Sequence, residues 1–85
     1  MGRNAEAIRV AEALLASHPE DTKVQFCLGR GYLFTWKPRR AIDPLLTYCK
    51  SDPSNKKSRL FLAISYILSG RIDKAIAIDR LVKQG

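Results

Sequence analysis

The stretch from Thr22 to Asn55 reads TKVQFCLGRGYLFTWKPRRAIDPLLTYCKSDPSN, and it decides the fold because the residues after it repeat its pattern at a shift of 34. At that shift Leu28 meets Leu62, Tyr32 meets Tyr66 and Lys23 meets Lys57, while the small residues Gly29 and Gly31 meet Ala63 and Ser65. Carried back toward the N-terminus, the same shift aligns three copies: Ala7, Ala41 and Ala75, then Ile8, Ile42 and Ile76, with Pro19 opposite Pro53. A fixed period of this length is the mark of a stacked repeat, in which each unit is too small to bury its own apolar face.

Each period reads as two amphipathic helices. Val24, Phe26, Cys27, Leu28, Tyr32 and Leu33 recur at steps of three and four over 22–35, and Ala41, Ile42, Leu45, Leu46 and Tyr48 do so in the next segment. The stops are His18-Pro19-Glu20-Asp21 and Asp52-Pro53-Ser54-Asn55, where proline ends one helix and a short polar side chain can cap the next. The pattern predicts five helices, over roughly 3–17, 22–35, 38–51, 56–69 and 72–84. The small residues at 29, 31, 41, 63 and 75 allow close helix approach, and the tyrosines and leucines fill the space between pairs.

The run Leu28-Gly29-x-x-Tyr32, then Ala41, Leu45, Tyr48 and Pro53, resembles the tetratricopeptide repeat motif: a large, a small and an aromatic residue on the first helix, then a small residue, an apolar pair and a closing proline. Leu62-Ala63-x-x-Tyr66 with Gly70, Ala75 and Val82 repeats it, and Gly2, Ala7, Ala11, Leu14 and Pro19 match its second half. The resemblance implies an all-α fold of antiparallel helix pairs stacked as an α-solenoid. It would form a single domain with a half repeat over 1–21 and repeats over 22–55 and 56–85. The phase at which the chain opens and closes reads as a piece of a longer array.

The resemblance also implies where a partner binds. In tetratricopeptide arrays the first helix of each pair lines a concave face, which here assigns Lys23, Phe26, Arg30 and Leu33 on one helix and Lys57, Leu60 and Ile64 on the next, with Phe34, Ile67 and Leu68 beside them. Relatives that clamp a C-terminal carboxylate use polar groups at several of these places, whereas Phe26, Leu60 and Ile64 are apolar. An apolar groove with a basic rim instead suits a peptide or amphipathic helix with acidic flanks. Packing against further helices, or self-association through exposed solenoid ends, is the competing use of the same side chains.

Two residues depart from the pattern. Trp36 stands where the other copies have Gly2 and Gly70, which predicts an unusual turn and an indole that is partly exposed, packed on the next helix or used in binding. Pro44 falls inside the third helix; it is harmless if that helix starts near Ala41, and otherwise a kink between Arg40 and Pro44 is expected.

The chemistry of an enzyme is missing. His18, the one histidine, sits in a turn beside Pro19, the eight acidic residues are dispersed, and Gly29-Arg30-Gly31 lies mid-helix with no strand before it. Cys27 and Cys49 have neither metal-site nor disulfide-framework spacing, so no metal and no cofactor is expected. A formal charge of +7 raises the question of nucleic acid, but the 15 Lys and Arg residues are scattered, with local clusters at Lys37-Pro38-Arg39-Arg40 and at Lys50 with Lys56-Lys57-Arg59. No signal peptide or membrane span is visible, and a cytoplasmic setting is expected, with the reservation that a fragment can lose its targeting segment. At 85 residues, folding buries only about 60–65% of the unfolded surface, which leaves such a chain dependent on neighbours. The leading expectation is therefore a non-catalytic scaffold or adaptor that holds another protein. A small dedicated chaperone resembling those of type III secretion is the alternative, and nucleic-acid binding ranks last.

Overall fold

Asp21 and Asn55, one period apart, start the two helices that organise the fold. The Asp21 carboxylate accepts from the Lys23 and Val24 N–H groups at 3.1 and 3.4 Å, and the Asn55 side-chain oxygen accepts from the Ser58 N–H at 3.0 Å. Each satisfies donors that the first helical turn leaves without a partner. A computed structural model describes residues 2–83 as six helices: α1 (Gly2–Ser17), α2 (Thr22–Phe34), α3 (Pro38–Ser51), α4 (Lys56–Leu68), α5 (Ile72–Ile76) and α6 (Ile78–Lys83). No strand occurs among the described residues.

The repetition seen in the side chains is also present in the backbone. α2 and α4 begin and end one period apart, and the turns between helices 1 to 5 run to four, three, four and three residues. After α2 the Lys37 N–H reaches back to the Tyr32 carbonyl at 2.8 Å, and after α4 the Arg71 N–H reaches the Tyr66 carbonyl at 2.7 Å. Before the same helices, Asp21 N–H donates to His18 O and Asn55 N–H to Asp52 O, both at 3.1 Å.

Neighbouring helices pack on one another, and α2 also meets α4 directly. The core runs through α3, where Ala41, Leu45 and Cys49 are fully buried with Leu62 of α4. Glycine matters where α2 crosses α3: a Cβ on Gly29 would lie 2.5 Å from Leu45 Cγ. A side chain on Gly31 would likewise meet Ile8 Cγ1 at 2.9 Å, so α1 approaches α2 over a bare backbone.

One expectation is corrected, and one open alternative is decided. The fifth helix is not continuous: it breaks at Ala77, where no Gly or Pro accounts for it, and Gln84 lies outside the described residues. Beyond the break α6 lies on α3 and α4, burying Val82 and pairing Asp79 with Arg59 at 2.6 Å. The third helix does start at Pro38, so Pro44 is a true interior proline, and the Arg40 carbonyl forgoes its usual helical bond. Pro44 is buried, so its ring contributes to packing where its missing N–H cannot contribute to the helix.

Candidate protein-binding site

The face assigned to a partner is built from α2 and α4, and the structure sorts its residues into three depths. Lys23, Arg30 and Lys57 are exposed, as are Leu60 and Phe34. Ile64 is half-buried and packs on the core. Phe26 and Leu33 are not open at all in the expected sense. Leu33 is 7% exposed, and Phe26 is half-buried, its ring 4.9 Å from that of Tyr48 and 5.9 Å from that of Phe61. Phe26 belongs to the packing between α2, α3 and α4 and Leu33 to the buried core, with Phe34 edge-on to Phe61 at 6.1 Å.

Comparison one period on explains the difference. Leu60 and Ile67 are the counterparts of Phe26 and Leu33, yet they are 59% and 51% exposed. On α2 the Phe26 position lies against Phe61 of α4 and Leu33 is in the core, whereas on α4 the counterparts are left in solvent among the described residues. The same inequality holds at the other end. Val10 and Leu14 of α1 are exposed, while their counterparts Pro44 and Tyr48 are buried and half-buried. Together with Ala7, Val24 and Cys27 they line an apolar trough between α1 and α2, with Lys23 on its edge. Sequence reading did not single out this trough. Its signal was available, because one period later the same register carries Ala41 and Leu45, which α2 buries.

The turn after α2 carries the second departure. Trp36 adopts φ +61°, the left-handed region, and Gly70 adopts φ +78°. The indole is 79% exposed and the ring extends into solvent, whereas the expected unusual turn is not found: its backbone repeats the turn at Gly70, and only the residue is unusual. Lys37, Pro38, Arg39, Arg40, Leu68 and Ser69 complete a surface depression of about 500 Å³ beside it. Arg40 also leans toward the Tyr32 ring, with its guanidinium carbon 6.0 Å from the centroid.

The ionisable groups that depart from ordinary behaviour are structural. Burial pushes the Cys49 thiol and the Tyr66 phenol up. Tyr32 is raised by burial and by donating its hydroxyl to Glu12 Oε2 at 3.1 Å. None of the three faces the candidate groove. Among the described residues no three His, Cys, Asp or Glu side chains gather as a metal site, and no helix is long and apolar enough to cross a membrane. Arg59 with Asp79 is the one ion pair among the described residues, which leaves Lys23, Arg30 and Lys57 facing solvent. Compared with models of known protein families, with curated proteins and with solved structures, the chain matches none.

Proposed function

We propose that this chain is a tetratricopeptide-type helical-repeat module that holds another protein by an amphipathic helix, and that it performs no catalysis. The family reading rests on the 34-residue period, carried by side chains, helix limits and capping bonds alike. The binding reading rests on one observation: Leu60 and Ile67 are exposed where their counterparts Phe26 and Leu33 are packed into the fold.

What covers the counterparts indicates the chemistry of a partner. α4 presents Phe61 to Phe26, so a helix that places an aromatic ring against Leu60 reproduces a contact the fold already uses. Exposed Lys57 and Arg30 then favour acidic residues flanking that ring, mostly through faster encounter. Affinity capture with the native chain and with a Leu60→Ser, Ile67→Ser variant tests the proposal. The native chain should recover a helical partner that the variant does not, with both melting alike. Recovery of further copies of the chain alone would mean self-association, and equal recovery by both would place the partner elsewhere.

A further inference from the structure

Two local choices at one turn work against the fold. A left-handed backbone is unfavourable for a residue with a Cβ, and the counterpart of Trp36 is Gly70, which adopts it freely. The indole recovers little by packing, since most of it is in water. Two residues on, α3 opens with Pro38-Arg39-Arg40 after Lys37, with no acidic residue in its first turn and no side-chain cap. The counterpart of Arg39 is Asp73, the charge that a helix N-terminus prefers. The middle turn has thus exchanged glycine for tryptophan and a carboxylate for a guanidinium, both at a cost to local stability. Such concentrations of locally unfavourable residues are where binding sites are found.

We propose that this turn is a second docking site, distinct from the α2 and α4 face, for an acidic peptide segment that inserts one apolar or aromatic side chain between Trp36 and Leu68. Its carboxylates lie against Lys37, Arg39 and Arg40. None of these three cations has a carboxylate partner among the described residues, and the uncapped start of α3 adds its own positive end. Leu68 is 47% exposed and Pro38 half-buried, so the depression offers an apolar wall opposite the indole. A nucleic-acid backbone needs a longer track of cations, and one leaving this turn along the neighbouring hollow meets Asp43. A flat anionic bilayer would leave the depression unfilled.

Trp36 is the only tryptophan, so its emission reports the site directly. Random peptides displayed on phage are selected on the native chain and counter-selected on Trp36→Gly, and synthetic versions of the enriched sequences are titrated against native protein. Enriched sequences should pair Asp or Glu with one aromatic or aliphatic anchor and blue-shift the emission. Affinity should fall more than about tenfold in Trp36→Gly and in Arg39→Asp. The second variant copies the next repeat and keeps the reporter, so it decides independently of any effect on folding at Trp36. Vesicles containing phosphatidylserine and a single-stranded oligonucleotide form the other arms at physiological salt. The proposal is overturned if no peptides enrich, if enriched peptides lack acidic residues, if Arg39→Asp binds them equally, or if only the vesicles or the oligonucleotide shift the emission.

Discussion

Trp36 and Gly70 occupy the same backbone position one period apart, at φ +61° and +78°, each donating its N–H to the carbonyl three residues before it. The following residue donates to the tyrosine five residues before it in both cases. This is the double bond of a Schellman motif, in which the left-handed residue turns the chain out of the helix. One motif is thus built once with the residue suited to it and once with a residue that resists it.

Replacing Trp36 by Gly should therefore stabilise the protein, by about 1–2 kcal/mol before the added freedom of the unfolded chain is subtracted. For a domain of this size a net gain of about 1 kcal/mol raises Tm by roughly 4–8 °C. Differential scanning calorimetry checks it. A lower Tm would mean that the indole makes packing contacts worth more than the backbone strain.

Gly29 should be far less tolerant. An added Cβ would meet Leu45 at Cγ, the branch point of that side chain, and the Leu45 backbone nitrogen at 3.3 Å, so rotation alone cannot clear it. Gly29→Ala should cost about 1–3 kcal/mol, and Gly29→Leu should prevent cooperative folding. Ala63, its counterpart, is half-buried, so Ala63→Leu should cost less. Circular dichroism melts of the three variants give the order.

The helix limits and capping residues were legible in the sequence because they depend on local chemistry: proline stops, Asp21 and Asn55 caps, and a three-to-four-residue apolar step. Phe26 and Leu33 were misread as open for a different reason. Their register on α2 matches that of Leu60 and Ile67 on α4, and periodicity assigns a helix face without saying whether another helix covers it. That depends on which neighbours exist in space. The break at Ala77 lay outside the reach of the pattern as well, since α6 is held by Val82 burial and by an ion pair across 20 positions, from Arg59 to Asp79. At Trp36 the departure from the repeat was visible, but its positive φ was not.

The two cysteines should separate cleanly by reactivity. Cys27 is exposed and Cys49 fully buried, with its thiol pushed up by loss of solvation. An aromatic disulfide reagent at neutral pH should modify one thiol at once, and the second only as the chain unfolds. Immediate modification of both would show that α3 opens far more readily than its packing implies.

Stability should also fall in alkali, with a definite sign. Cys49, Tyr32 and Tyr66 all have folded pKa values above their ordinary ones, so between the unfolded and folded values the native state holds more protons. Their contribution is complete below the unfolded pKa and is lost as pH rises through the folded one. Unfolded thiols titrate near about 8.5 and phenols near about 10, so Tm should begin to drop above about pH 9. Cys49→Ala should remove the earliest part of the decline. A Tm unchanged up to pH 11 would contradict the raised values.

The binding proposal and the fold make opposite demands on residues one period apart. Leu60 and Ile67 lie mostly in water, so changing both to Ser removes little buried area and should move Tm by only a degree or two, while abolishing capture of a helical partner. Phe26 and Leu33 hold the counterpart positions, Phe26 against Tyr48 and Phe61 and Leu33 in the buried core. Truncating a buried large side chain costs about 2–5 kcal/mol, and each new hydroxyl needs a partner that this apolar layer does not offer. Phe26→Ser with Leu33→Ser should therefore unfold a chain this small outright. Reversing Lys57 and Arg30 to Glu should leave both folds alone and slow association with an acidic partner, chiefly at low salt. The four measurements stand together: if the Leu60 and Ile67 pair proves as damaging to Tm as the Phe26 and Leu33 pair, those residues are core and the open α4 face is no binding site.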